Sequence, residues 1–138
     1  MQRIGLAALI GVCGVFVMFV MLWEGGGLPQ DLRLGPFLGM FLPPTFFSGF
    51  VAGILLAPVF ERANLILTGC SALLATLLGA MLGGFYVGAT EAGLHAAEGA
   101  MSAAVLIWKM LWKSPAAMVV WLGCLAVVHL VTRRYSLK

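Results

Sequence analysis

Ala63 to Thr90 reads ANLILTGCSALLATLLGAMLGGFYVGAT, twenty-eight residues without a single Asp, Glu, Lys or Arg. Between its ends the clearly polar side chains are Asn64, Thr68, Ser71, Thr76 and Tyr86. A helix crosses the roughly 30 Å hydrocarbon core of a bilayer in about 20 residues, so this run is long enough to span. Three more apolar runs flank it: Ile4 to Trp23, Phe37 to Phe60 and Pro115 to Thr132. Together they predict an all-α integral membrane protein with four transmembrane helices in one membrane domain, residues 1–138.

The rest of the composition agrees. Of 138 residues, 62% are hydrophobic and 9% charged, against about 25% charged in ordinary soluble domains. Four spans take up about 80 residues, and the remainder is scattered in short pieces. That leaves no room for a soluble catalytic domain, a nucleotide-binding domain or a zinc module. The formal charge of +3 comes from eight Lys and Arg against five Asp and Glu. None of them forms the basic patch that nucleic-acid binding requires, so no nucleic-acid partner is expected.

The first run follows Arg3 and is longer than the roughly 7–15 apolar residues of a signal peptide. It ends on Trp23-Glu24-Gly25-Gly26-Gly27 rather than on a small-residue cleavage site. Val12 stands where a lipoprotein-type signal would want a small residue before Cys13. An uncleaved span over about 4–23 is the reading. The second run, about 37–60, contains Pro43-Pro44. Proline removes a backbone donor and crowds the preceding turn, so a kinked span is expected, with a short outer piece followed by a helix from Pro44 as the rival. The third and fourth spans are expected over about 63–90 and 115–132. With the N-terminus inside, the inner segments hold Arg3, Arg62, Arg133, Arg134 and Lys138, and the outer ones Arg33, Lys109 and Lys113. The positive-inside rule then places both termini in the cytoplasm; the short loops suggest a bacterial inner membrane.

Between the third and fourth spans, Glu91, His95, Glu98, Ser102, Lys109 and Lys113 recur at spacings that keep them on one narrow helical face. Ala100, Ala104, Ile107 and Leu111 lie opposite. Such a segment, flanked by Trp108 and Trp112, is expected to lie in the membrane interface as an amphipathic helix over about 99–113. Gly93 and Gly99 are expected to break its first part. Trp108, Lys109, Trp112 and Lys113 would sit at headgroup depth, with Ile107 and Leu111 in the lipid boundary and no protein partner needed. A fifth span is the rival reading, and it would put Lys109 in the hydrocarbon.

Few residues invite chemistry. Glu91, His95 and Glu98 at i, i+4 and i+7 place two carboxylates and an imidazole on one face, a set that can bind a divalent metal. The same stripe continues through Ser102, Lys109 and Lys113, so a solvated helix face explains it and no metal is expected. His129 is the histidine inside a span and could serve as an axial ligand to haem or a pigment. It stands one turn before Arg133, near the headgroups, where a polar side chain costs little, and no cofactor is expected. Cys13, Cys70 and Cys124 fall within spans without a Cys-x-x-Cys pair and read as small, inert packing residues.

The glycines say most. Gly49, Gly53 and Ala57 recur every fourth residue in the second span. Ser71, Ala75, Gly79 and Gly83 do so in the third, with Gly84 and Gly88 on a neighbouring stripe. Small residues at this spacing let helix backbones approach closely, either within the chain or against a partner. No charged side chain falls in the core of a span, whereas coupled carriers and pumps need intramembrane ionisable groups. The expected function is therefore not enzymatic: a non-catalytic accessory or structural subunit of a larger membrane complex. Its partners would be other membrane subunits, copies of itself, and lipid. The alternatives are a small homo-oligomeric channel, pore or holin-like protein and, on His129 alone, a haem- or pigment-bearing subunit.

Overall fold

Two small polar residues set where helices begin. Asn64 caps one of them: its side-chain Oδ1 accepts from the Ile66 N–H at 3.1 Å, and its carbonyl from the Thr68 N–H at 2.8 Å. Ser114 caps another, accepting from the Ala117 N–H through Oγ at 3.0 Å, with Pro115 in the first helical position. Both satisfy backbone donors that a helix start leaves over, and proline there loses no bond it would have made. The computed structural model describes residues 2–24, 34–60, 64–92 and 96–136, and among these it is helical throughout, apart from the caps at Asn64 and Ser114. The elements are α1 (Gln2–Glu24), α2 (Leu34–Phe60), α3 (Leu65–Ala92), α4 (Ala96–Lys113) and α5 (Pro115–Ser136).

Four of them are long and apolar enough to cross a membrane, over Arg3–Glu24, Leu42–Phe60, Leu65–Ala89 and Pro115–Arg134. Pro43, Pro44 and Pro58 all lie inside α2, which continues past them. The second apolar run is thus one helix rather than an outer piece and a shorter helix. Backbone groups freed by proline in an apolar helix can be re-satisfied by neighbouring helices and by hydroxyl side chains. The third run begins later than its composition suggests, because Asn64 caps the helix instead of belonging to it.

The helices pack as antiparallel neighbours. Gly49 and Gly53 of α2 face Gly11 and Ala7 of α1. A carbon added at Gly49 would lie 3.0 Å from the Gly11 Cα, and one at Gly53 2.8 Å from the Ala7 Cα. On its other side α2 meets α3, with Gly79 opposite Gly49 and Gly83 opposite Ser48. Helix α5 closes the ring against α3 and α1. Trp121 Nε1 donates to Thr76 Oγ1 at 2.9 Å, and His129 Nδ1 lies 3.3 Å from Thr68 Oγ1. One buried cluster joins Leu6, Ile10, Ala52, Ala57, Phe60, Ala75 and Val128.

Helix α4 departs from expectation in two ways. It starts at Ala96 and runs through Gly99 without a break; Gly93 lies outside the described residues. Gly99 is used for approach rather than for bending. A carbon there would lie 2.5 Å from the Gly84 carbonyl oxygen and 3.3 Å from the Gly88 Cα, so α4 meets α3 backbone to backbone. Its apolar face is also not given over to lipid. Leu111 is only 3% exposed and packs with Val17 and Met21 of α1 and Ala117 of α5, and Ile107 and Met110 pack against the same cluster. The face that sequence assigned to the lipid boundary is covered by protein, because α4 crosses from α3 to α1 and α5.

Candidate functional site

A cavity of about 520 Å³ lies between the helices, and all five contribute to its wall. That is within the roughly 300–1,000 Å³ range of small-molecule pockets. Ile10, Val17, Leu125 and Val128 on one side and Ala72, Ala75, Gly79 and Ala80 on the other give it an apolar wall. Among the described residues, no Asp, Glu, Lys, Arg or His lines it.

The polar groups on that wall are committed to one another. Thr76 Oγ1 donates to the Ala72 carbonyl at 2.8 Å while accepting from Trp121. Thr68, wholly buried, donates to the Asn64 carbonyl at 2.9 Å. The same hydroxyl lies 3.3 Å from His129 Nδ1. Ser48 Oγ donates to the Thr45 carbonyl at 3.0 Å, and Thr45 Oγ1 to the sulfur of Met18 at 2.7 Å. Among the described residues no buried side-chain nitrogen or oxygen lacks a partner. Back-bonding of this kind gives the hydroxyls of Ser and Thr a partner inside an apolar helix.

What remains on the wall is sulfur. Cys13 of α1 and Cys124 of α5 both line the cavity. Met18 and Met21 line the cavity further along α1, and Met110 joins from α4. Neither cysteine is in a disulfide. No family model, no curated protein and no solved structure matches the chain. The site is therefore read from its own geometry.

The other sequence candidates fall in different places. Gly49, Gly53 and Ala57 face α1 and the buried core; Gly79 and Gly83 line the cavity near Gly49 and Ser48; Gly84 and Gly88 lie against Gly99. Ala75 is buried in the core cluster. His129 is half-buried at the α3–α5 contact and is not part of the cavity wall. Glu98 is exposed on α4, whereas His95 and the side chain of Glu91 lie outside the described residues. Trp108 and Trp112 are exposed and stack edge to face with ring centroids 5.9 Å apart; Lys109 and Lys113 are exposed beside them. With Met101 and Val105 they complete an outward face of α4 that is partly aromatic, partly basic. Sequence reasoning took the cysteines one at a time and did not place Cys13 and Cys124 on the wall of one cavity. No local signal carries it, since the two stand on the first and last helices.

Proposed function

We propose that the chain is a multi-pass membrane protein that works as a non-catalytic subunit of a larger membrane assembly. The four long apolar helices cross the bilayer, and α4 rests at one end with Trp108, Trp112, Lys109 and Lys113 at headgroup depth. One observation carries the reading: among the described residues no charged side chain or histidine lines the interior cavity, and the hydroxyls and indole around it are bonded within the chain. A coupled carrier needs intramembrane ionisable groups, and a hydrolase needs a nucleophile held by a base; the wall offers neither. The outward surface is rich in large apolar side chains, among them Phe16, Phe47, Leu55, Ile66, Phe85 and Leu130. That suits lipid or other apolar helices. In this reading the glycine faces serve the chain's own packing, and α4 supplies the surface for an unlike subunit.

Gentle extraction from the native membrane followed by native mass spectrometry tests this. An unlike membrane subunit in fixed ratio, lost when Trp108 and Trp112 are both replaced by Ala, is the expected result. A chain that runs alone as a monomer overturns the proposal, and a ring of identical copies replaces it with the pore reading.

A further inference from the structure

The cavity is long and narrow. Its wall runs from Ile10 to Leu22 along α1 and from Thr68 to Gly88 along α3, roughly 18 and 30 Å at about 1.5 Å per residue. Spread over such lengths, the 520 Å³ of the cavity leaves a cross-section of roughly 17–29 Å². One extended hydrocarbon chain fills that width, whereas two chains side by side or a fused-ring system need more. At roughly 30 Å³ for a group the size of water or a methylene, the same volume takes about seventeen methylenes in a row. That is the length of an ordinary bilayer acyl chain.

The two ends of the cavity differ. Ile10, Phe60, Thr68 and Val128, all buried, close the end away from α4. At the other end stand Ser102 and Leu106 of α4, the only exposed members of the wall among the described residues. They lie one helical turn apart and mark a mouth on the flank of α4. Deeper in, the hydroxyls of Thr45, Ser48, Thr68 and Thr76 all donate within the chain. An occupant therefore finds apolar surface inside and polar surroundings only where it emerges. Lys109, which is exposed, lies seven residues beyond Ser102, on the same helical face and roughly 10 Å along it.

We propose that the cavity holds one acyl chain of a glycerophospholipid, whose headgroup stays outside the mouth with its phosphate beside the Lys109 ammonium. Water does not fill such a space, since apolar cavities stay dry, and an empty one forgoes the dispersion contacts its lining would make. Hydrocarbon chains surround a bundle that crosses a bilayer, so an occupant of the right width and polarity is at hand. Met18, Met21 and Met110 suit it, because unbranched thioether side chains adapt to irregular neighbours. A phosphodiester near Lys109 adds a charge-assisted contact that a neutral lipid lacks. The proposal rests on the four long helices crossing the bilayer, which the accessibility of cysteines placed at the helix ends tests separately. It does not depend on an unlike subunit.

The test uses the full chain in detergent, stripped of lipid and given one equivalent of a phosphatidylglycerol with a diazirine near the end of one acyl chain. After illumination, mass spectrometry should find the label at the closed end of the cavity, on residues such as Ile10, Phe60 or Val128. Excess unlabelled phosphatidylglycerol should suppress it. Ala80→Phe puts a ring into the cavity and should cut this labelling on the order of tenfold by overpacking the space. Lys109→Gln should weaken retention severalfold, the scale of one exposed ion pair, without moving the label. Label confined to outward residues such as Phe16, Ile66 and Leu130 overturns the proposal, as does wall labelling in a folded Ala80→Phe variant equal to wild type. Suppression by a free fatty acid or a prenyl alcohol but not by the phospholipid overturns it too, because the occupant is then another lipid. Unchanged retention in Lys109→Gln overturns the placement of the phosphate. Should Ala80→Phe fail to fold, the wild-type label positions and their competition decide alone.

Discussion

At Gly84 and Gly99 the space for one extra carbon is already taken by backbone. A carbon at either position would run into the carbonyl oxygen of the other, and backbone cannot swing aside as a side-chain tip can. Gly99→Ala should therefore destabilise the fold by about 1–3 kcal/mol, the usual cost of overpacking, as read by unfolding in mixed micelles. Gly69 and Gly123 have no atom within 4 Å of that position, so the same change there should cost nothing. Gly79 and Gly83 lie between these limits, with nearest neighbours at 3.7 and 3.6 Å, and should accept alanine. Equal effects at all of these glycines would show that helix propensity, not approach, governs them. The Trp121–Thr76 bond makes a second residue-level case. In membrane helices such bonds contribute about 0.6 kcal/mol on average and up to about 1.7. Trp121→Phe combined with Thr76→Val in a double-mutant cycle should return a coupling in that range, and zero coupling would mean the bond is replaced in the variants.

Helix α4 depends on its neighbours more than its sequence suggests. Ser114 alone separates it from α5, and the residue serves both sides: its N–H closes the end of α4 on the Met110 carbonyl at 2.9 Å, and its Oγ caps α5. The same hydroxyl contacts the Glu24 carboxylate at the end of α1. Ser114→Ala removes the cap and that tie together, and should cost about 0.5–2 kcal/mol, measured against Ser102→Ala on the exposed face of α4 as a control. The apolar runs were legible in sequence because a charge-free stretch of twenty residues has few other meanings. The caps were legible too, Ser114-Pro115 above all, yet a reading led by hydropathy windows passes over single polar residues. The covering of Leu111 was not legible. A leucine facing lipid and one facing another helix look alike in sequence, since both environments are apolar. For the same reason the small-residue stripes announced close packing without naming which helices would meet. That Cys13 and Cys124 line one cavity depends on α5 returning against α1, a property of the whole bundle that no local spacing encodes.

For the whole molecule the deciding quantity is the parity of membrane crossings. Four crossings return the C-terminal end to the side on which α1 begins; a fifth, made by α4, would send it to the other side. The two arrangements differ in where they put Lys109 and Lys113, which are exposed on α4. A lysine at the bilayer centre costs about 2.5–3.5 kcal/mol on insertion scales, whereas at the interface its stem can lie along the apolar surface and its ammonium reach water. The outward side chains Trp108 and Trp112 suit that shallow depth as well. Helix α4 is also not among those long and apolar enough to cross. Four crossings are therefore expected, with Gln2 and Ser136 on the cytoplasmic side, where the basic residues Arg3, Arg133 and Arg134 collect. Single cysteines at these two positions, in a chain whose native thiols have been replaced, should react with a membrane-impermeant reagent only after the membrane is opened. A cysteine at Met101, on the outward face of α4, should react in intact cells. Reaction of Ser136Cys from outside while Gln2Cys stays protected would show an odd number of crossings, make α4 a fifth span, and bury its two lysines in a way the composition of the helix resists.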